Sequence, residues 1–113
     1  MQTIKSLIGL LVILALACTE LLSVDVVFQD IDLEIAIREV LEKPEGPITD
    51  TDMASLVSLT INERSILNLT GLEHAVNLSN LDLSKNLIID TSPLSGLSQL
   101  QSLNLFDNII DDI

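Results

Sequence analysis

A 22-residue repeat is the feature that most limits what this chain can fold into. Aliphatic residues recur with that spacing in five columns, which are Leu56, Leu78 and Leu100; Leu59, Leu81 and Leu103; Ile61, Leu83 and Leu105; Ile66, Ile88 and Ile110; and Leu72 and Leu94. Asn86 and Asn108 also align with each other, whereas the first copy has Arg64 at that position. One repeat of this length cannot enclose its own apolar face, so successive repeats have to stack and bury leucine on leucine.

The residues around the aligned leucines predict a short strand in each repeat. Leu81 and Leu83 alternate with polar residues, and alternate residues of a strand point to opposite faces. We therefore expect the segments 58–62, 80–84 and 102–106 to lie side by side as parallel strands. The predicted fold class is α/β, a short solenoid with a concave sheet of three parallel strands that follows an N-terminal helical cap.

Residues 28–57 form the predicted helical cap. A first helix begins near Asp30, presents one apolar face and ends before Pro44. The residues of that face have helical spacing: Leu33, Ala36, Ile37, Val40 and Leu41. Thr49 then has the character of an N-cap for a shorter second helix, with Asp52 three residues later.

The first 17 residues have the pattern of a signal peptide. Lys5 precedes an uncharged stretch from Leu7 to Cys18, which is too short to span a bilayer, and Ala15 and Ala17 suit a signal peptidase. A buried N-terminal helix is the alternative, but this stretch is apolar on every face. Residues 18–27 are the predicted linker. We expect an exported protein of the cell envelope or surface, or a secreted one.

The segment LALAC (14–18) resembles a bacterial lipobox. In that motif the cysteine is lipidated and becomes the mature N-terminus, so Cys18 is the lipidation candidate. Ala15 and Leu16 stand in the reverse of the preferred order, and simple cleavage after Ala17 remains the alternative outcome.

The repeats carry a wider resemblance. LSNLDLSKNLI (78–88) and LQSLNLFDNII (100–110) match the leucine-rich-repeat signature LxxLxLxxNxI. The repeat length and the segment DTSPLSGLSQL (90–100) resemble the internalin type of bacterial surface proteins, and residues 28–57 resemble the cap that precedes such repeats. The resemblance implies binding of a protein and a ladder of asparagine side chains. Since the Arg64 side chain cannot accept a hydrogen bond, we expect the ladder to begin at Asn86.

Composition excludes several classes of partner. The 113 residues include 5 Lys+Arg and 17 Asp+Glu, which gives a formal net charge of −12. A chain this acidic cannot neutralise nucleic-acid phosphates, and it is unsuited to anionic lipid. Membrane contact is therefore expected only through a lipid on Cys18. One Cys also forms no internal disulfide.

Residues with catalytic or metal-binding character are sparse, and we predict no catalytic, cofactor-binding or metal-binding residue. His74 is the only His, and we expect it in an exposed return segment. Asp30, Asp32 and Glu34 have calcium-loop spacing, but the required Gly is replaced by Ile35, so the first turn of a helix is their predicted place. We expect a protein that is not an enzyme and needs no cofactor.

The outward strand positions are the candidates for binding a partner. They are Ser58, Thr60, Asn62, Asn80, Asp82, Ser84, Ser102, Asn104 and Phe106. Three short strands offer only about 250 Å², whereas a standard interface needs about 800 Å² per partner. Residues 58–113 hold about two and a half repeats, so we expect a truncated array.

Three functional hypotheses follow. The first is a non-enzymatic module for protein–protein binding. The second is that the chain is the targeting and repeat fragment of a larger exported protein. The activity of that protein, either enzymatic or not, would then lie beyond residue 113. The third is edge-to-edge self-association through the strand predicted at 102–106.

Overall fold

The computed structural model describes residues 23–110 of the chain. The predicted signal peptide (1–17), the lipidation candidate Cys18, the first part of the predicted linker and residues 111–113 lie outside this range. Within it, no helix combines the length and the apolar character needed to cross a membrane.

The first helix of the cap, α1, spans Ile31–Leu41. Asp30 is its N-cap, since one carboxylate oxygen accepts a hydrogen bond from the Asp32 N–H at 3.0 Å. Leu33, Ala36 and Ile37 are buried, as their spacing predicted. Val40 in the last turn is 45% exposed. Leu41, at the end of the helix, is half-buried and packs against the core, so Val40 alone of the predicted face is exposed.

The second helix, α2, spans Asp50–Ala54 and begins with the predicted capping box. The Thr49 hydroxyl accepts from the Asp52 N–H at 3.2 Å, and the Thr49 N–H donates to the Asp52 carboxylate at 2.9 Å. This N-cap is confirmed, and it places Met53 in the core.

The repeats form a parallel sheet of three strands, β1 (Ser58–Thr60), β2 (Asn80–Asp82) and β3 (Ser102–Asn104), in the order β1-β2-β3. The aligned leucines Leu59, Leu81 and Leu103 lie beside one another in register. Hydrogen bonds continue the ladder past the strand ends, from the Leu83 N–H to the Asn104 carbonyl and from the Lys85 N–H to the Phe106 carbonyl, both at 2.8 Å. The predicted fold class is confirmed.

The core is a stack of aliphatic side chains that runs through cap and windings. Leu59 and Leu81 are each 2% exposed. Leu103, predicted to point into the same core, is 44% exposed. It keeps the register of its column, but no described winding lies beyond β3 to cover it. Short 3₁₀ turns at Leu72–His74 and Ser92–Leu94 return the chain between strands.

Two polar contacts join the cap to the first winding. The second carboxylate oxygen of Asp30 accepts from the N–H groups of Leu67 at 2.6 Å and Asn68 at 3.1 Å. The Arg64 guanidinium pairs with Glu39 of α1 at 2.7 Å. Arg64 thus occupies an asparagine position of the repeat and bonds to the cap instead.

Glycine is needed at one position where the segment before α1 crosses the first winding. Gly71 has a φ of 113°, and a Cβ there would lie 2.6 Å from ring carbons of Phe28. A larger residue at position 71 would therefore require the Phe28 ring to move and would strain the backbone.

Candidate functional site

The sheet presents most of the predicted partner-binding positions to solvent. Seven of the nine are exposed, namely Ser58, Thr60, Asn62, Asn80, Ser102, Asn104 and Phe106. Asp82 is half-buried. These eight residues are called the strand face below, and their role in binding stays a prediction.

Ser84 is the exception, and its predicted exposed position is wrong. It is 8% exposed. β2 ends at Asp82, and the chain then turns so that the Ser84 N–H donates to the Asp82 carboxylate at 2.9 Å. The Ser84 carbonyl accepts from the Asn86 amide at 3.2 Å. Ser84 is therefore not accessible to a partner, whereas Phe106, at the equivalent position one winding later and with the same kind of N–H bond to Asn104, is exposed.

Asp82 is the only acid on the strand face and lies in the central strand. Its register partners are Thr60 in β1 and Asn104 in β3, both neutral. A hydrogen bond from the Ser84 side chain, together with the Ser84 N–H and the Asn104 side chain, outweighs desolvation and lowers the pKa of Asp82. The carboxylate is therefore ionised at neutral pH, in a row of uncharged groups.

Phe106 is the only aromatic residue on the strand face, and it is 72% exposed. Its backbone is fixed, since the Phe106 N–H donates to the Asn104 side chain at 3.0 Å. The bond from Lys85 to the Phe106 carbonyl places it beside Ser84, one strand over and two residues along from Asp82. Exposed aromatic rings of this kind commonly anchor interfaces.

An asparagine ladder holds the turns that follow the strands. The Asn86 side-chain oxygen accepts from the N–H groups of Arg64 at 3.0 Å and Ile66 at 3.2 Å. Its amide donates to the carbonyls of Ile61 at 2.8 Å and Leu83 at 2.9 Å. The expected start of the ladder at Asn86 is confirmed. The ladder therefore fixes the turns that border the strand face.

Asn108 repeats the pattern one winding later. Its side-chain oxygen accepts from the Ile88 N–H at 3.0 Å, and its amide donates to the Leu83 carbonyl at 2.9 Å. Left-handed backbone recurs just before these positions, with φ of 57° at Glu63, 58° at Lys85 and 60° at Asp107. The three turns are therefore built alike, although only two contain the asparagine.

The cations within residues 23–110 are all paired with acids away from the strand face. Arg38 pairs with Glu34, Lys43 with Asp52, Arg64 with Glu39 and Lys85 with Glu63, at 2.7 to 3.2 Å. None of them lies within ion-pair distance of Asp82. The charge of Asp82 is thus not neutralised by any described residue.

The return side of the windings carries His74. Its side chain is 34% exposed, and Nε2 lies 3.9 Å from the Glu73 carboxylate. A cavity of about 290 Å³ opens there, lined by Asp50, Thr51, Ala54, Glu73, His74 and Val76. Within residues 23–110, no group of three or more His, Cys, Asp or Glu side chains could hold a metal ion.

Two features of the structure were not identified from the sequence. The first is the contact of Asp30 with Leu67 and Asn68, which no local pattern indicates. The second is a set of exposed aliphatic side chains, Leu67, Leu87, Ile89 and Ile109, each 42% to 53% exposed. The 22-residue spacing of Leu67 with Ile89, and of Leu87 with Ile109, is the signal that could have revealed them.

Comparison with known proteins finds likeness in structure. The sequence matches no family model and no curated protein. An internalin (InlF) from Listeria monocytogenes matches with a TM-score of 0.73 and 36% identity, over 76% of this chain and 26% of that one. Internalin C2 (InlC2) from the same species matches with a TM-score of 0.72 and 25% identity, over 76% of this chain and 39% of that one.

A third match comes from Clostridium perfringens ZmpB. The matching structure contains its CBM51-2 domain in complex with GlcNAc, together with its INT domains. The TM-score is 0.65 at 40% identity, over 71% of this chain and 17% of that one. The chain thus spans well under half the length of each of these three neighbours.

Proposed function

This chain has an internalin-type leucine-rich-repeat fold, and on that basis we propose that it is a non-enzymatic module that binds another protein through its strand face. One observation carries the proposal. The inward residues of the strands build the core, while the outward residues form a row of exposed polar groups with one exposed aromatic ring. Such a surface is free to contact a partner without disturbing the packing.

The size of the strand face limits how much of an interface it supplies. Three strands about 4.8 Å apart offer about 250 Å², and a standard partner surface is about 800 Å². The module therefore contributes one part of a larger contact. The neighbouring turns, which the asparagine ladder holds, supply a further part.

Selection of peptides from a phage-displayed random library on the purified 113-residue chain tests this function. We expect the selected peptides to lose binding to the variant Thr60→Lys/Asn80→Lys, which places two bulky cations on the strand face. The matched control Ser98→Lys/Gln99→Lys adds the same charge at two exposed return positions and should retain binding. Equal binding to both variants would refute the strand face as the binding surface.

We also propose that the protein is exported to the bacterial cell envelope or surface, or secreted. The support is the sequence pattern of residues 1–17, with cleavage before Cys18. Mass spectrometry of the mature N-terminus tests this, and a lipid on Cys18 would identify an anchored protein. An intact Met1 in the mature protein would contradict export by this route.

The alternative is that this chain is the targeting and repeat segment of a larger exported protein. The support is the small share of each neighbour that the chain covers, 17% in the ZmpB structure. Reading the genomic frame past residue 113 tests it. Further repeats favour a binding protein, and a catalytic motif favours an enzyme.

A further inference from the structure

We propose that the partner presents an arginine to the strand face, with its guanidinium on the Asp82 carboxylate and against the ring of Phe106. This inference rests on the proposed function and names the chemistry of its partner. The partner presents this one cation from an extended protein segment.

The placement of the two residues suits a single arginine. Asp82 pairs in register with Asn104, and Phe106 lies two residues beyond Asn104, where the Lys85 N–H still bonds to the Phe106 carbonyl along the ladder. Strand spacing and rise put diagonal positions of this kind about 8 Å apart. A guanidinium bound to the carboxylate is then within the range of about 6 Å over which a cation is attracted to a ring face.

Charge favours a cation at this point. Asp82 is the only charged residue on the strand face, and every described cation is already paired elsewhere. An incoming cation therefore meets an ionised carboxylate whose hydrogen-bond partners, the groups of Ser84 and Asn104, are all neutral. A second copy of this chain is a poor occupant, because Arg38 and Arg64 are both engaged in ion pairs of their own.

The surroundings favour arginine over lysine. Arginine has a planar fork of donors that fits a carboxylate, and it stacks on aromatic rings, whereas an ammonium group does neither as well. The neighbours Thr60, Asn80 and Asn104 supply hydroxyl and amide groups that can hydrogen-bond to the backbone of an extended segment.

An NMR titration of the ¹⁵N-labelled 113-residue chain with N-acetyl-arginine methylamide tests the inference. We expect amide shifts concentrated at Asp82, Ser84, Asn104 and Phe106. The uncharged citrulline analogue and the lysine analogue should bind at least fivefold more weakly. Asp82→Asn should weaken arginine binding at least fivefold, and Phe106→Leu at least twofold.

Asp90→Asn is the matched control. The Asp90 carboxylate accepts a hydrogen bond from the Ser92 N–H at 2.9 Å. The Asp82 carboxylate accepts one from the Ser84 N–H in the same way, also at 2.9 Å. Asp90, however, lies off the strand face. Asp90→Asn should leave arginine binding unchanged.

Four outcomes would overturn the inference. They are equal binding of arginine and citrulline, equal binding of arginine and lysine, shifts spread over all acidic residues, and unchanged binding in Asp82→Asn. Shifts of the face amides on simple dilution would identify a second copy as the occupant instead. If selected peptides still depend on Thr60 and Asn80 while arginine does not bind, the proposed function survives and only this inference fails.

Discussion

A single carboxylate, that of Asp30, serves two parts of the molecule. One oxygen caps α1 through the Asp32 N–H, and the other accepts two N–H groups of the first winding. Asp30 is only 9% exposed, and all three of its hydrogen bonds are partly buried. Asp30 therefore fixes the cap on the repeats as well as the start of the helix.

Replacement of Asp30 by Ala should lower the free energy of unfolding by about 2–4 kcal/mol. The loss combines an N-cap with two partly buried, charge-assisted hydrogen bonds to the first winding. Urea unfolding followed by circular dichroism measures it. Asp32→Ala, an exposed acid in the first turn of the same helix, should cost about 0.5 kcal/mol. Equal losses in the two variants would show that the contact with Leu67 and Asn68 contributes nothing.

The contribution of Asp30 should also depend on pH. Burial tends to raise the pKa of Asp30, but the N–H groups of Leu67, Asn68 and Asp32 outweigh it and hold the pKa below the ordinary 3.8. Folding thus favours the ionised form. The contribution of Asp30 to the stability of the protein is therefore fully present above the unfolded-state pKa, and it is lost as the pH falls through the folded-state pKa.

We therefore expect the stability difference between wild type and Asp30→Ala to be largest at pH 7 and to shrink as the pH is lowered to 3. Urea midpoints of both proteins at several pH values measure this. Asp52, Asp82 and Asp90 also have lowered pKa values, but they are common to both proteins and cancel in the difference. A difference that grows on acidification would contradict the assignment.

At the level of the elements, the asparagine ladder ties each turn to the winding before it. Asn86 is 5% exposed and bonds to backbone groups of its own winding and the preceding one. Asn108 makes equivalent bonds but is half-buried, because no described winding covers it.

Asn86→Ala should therefore cost about 3 kcal/mol or more, since several buried backbone groups lose their partner. Asn108→Ala should cost about 1 kcal/mol, because water can replace the lost bonds. Chemical unfolding of the two variants under identical conditions makes the comparison. A smaller loss in Asn86→Ala than in Asn108→Ala would refute a buried ladder.

The sequence predicts most of the elements because periodicity reports directly on burial. The columns of leucine predicted three strands in register, and Thr49 with Asp52 predicted the capping box. Tertiary contacts are a different matter. The bonds from Asp30 to Leu67 and Asn68 bridge 37 and 38 residues, and no local pattern encodes them.

The candidate site was predictable to a similar degree. Alternation along the strands identified the outward residues, but it failed at Ser84, which lies past the end of β2 and is bonded to Asp82 and Asn86. Its equivalent Phe106 also lies past the end of its strand and is exposed, so alternation alone does not report burial at these positions. Leu103 shows the same limit for burial, because its exposure depends on what lies beyond it and not on its own repeat.

For the whole molecule, one aliphatic core runs from the cap through successive windings. Leu33 and Ile37 of α1, Leu59 of β1 and Leu81 of β2 belong to one cluster of buried side chains. Neighbouring windings therefore cover one another, and stability depends on the contacts between them.

Equivalent leucines should then differ in energetic weight by their place in the stack. Leu81→Ala should lower the free energy of unfolding by about 3–5 kcal/mol, because it removes a fully buried side chain. Leu103→Ala should cost about 1 kcal/mol, because its side chain is 44% exposed. Thermal unfolding compares them, and similar losses would contradict the stacking order.

The most direct test of the stacked windings is a methyl NOE measurement on the chain with labelled leucines. Leu59 and Leu81 lie on neighbouring strands, as do Leu81 and Leu103, while Leu59 and Leu103 are two strands, or about 10 Å, apart. We predict NOEs within both neighbouring pairs and none between Leu59 and Leu103. Absence of both neighbouring NOEs, in a chain that remains folded, would contradict the fold described here.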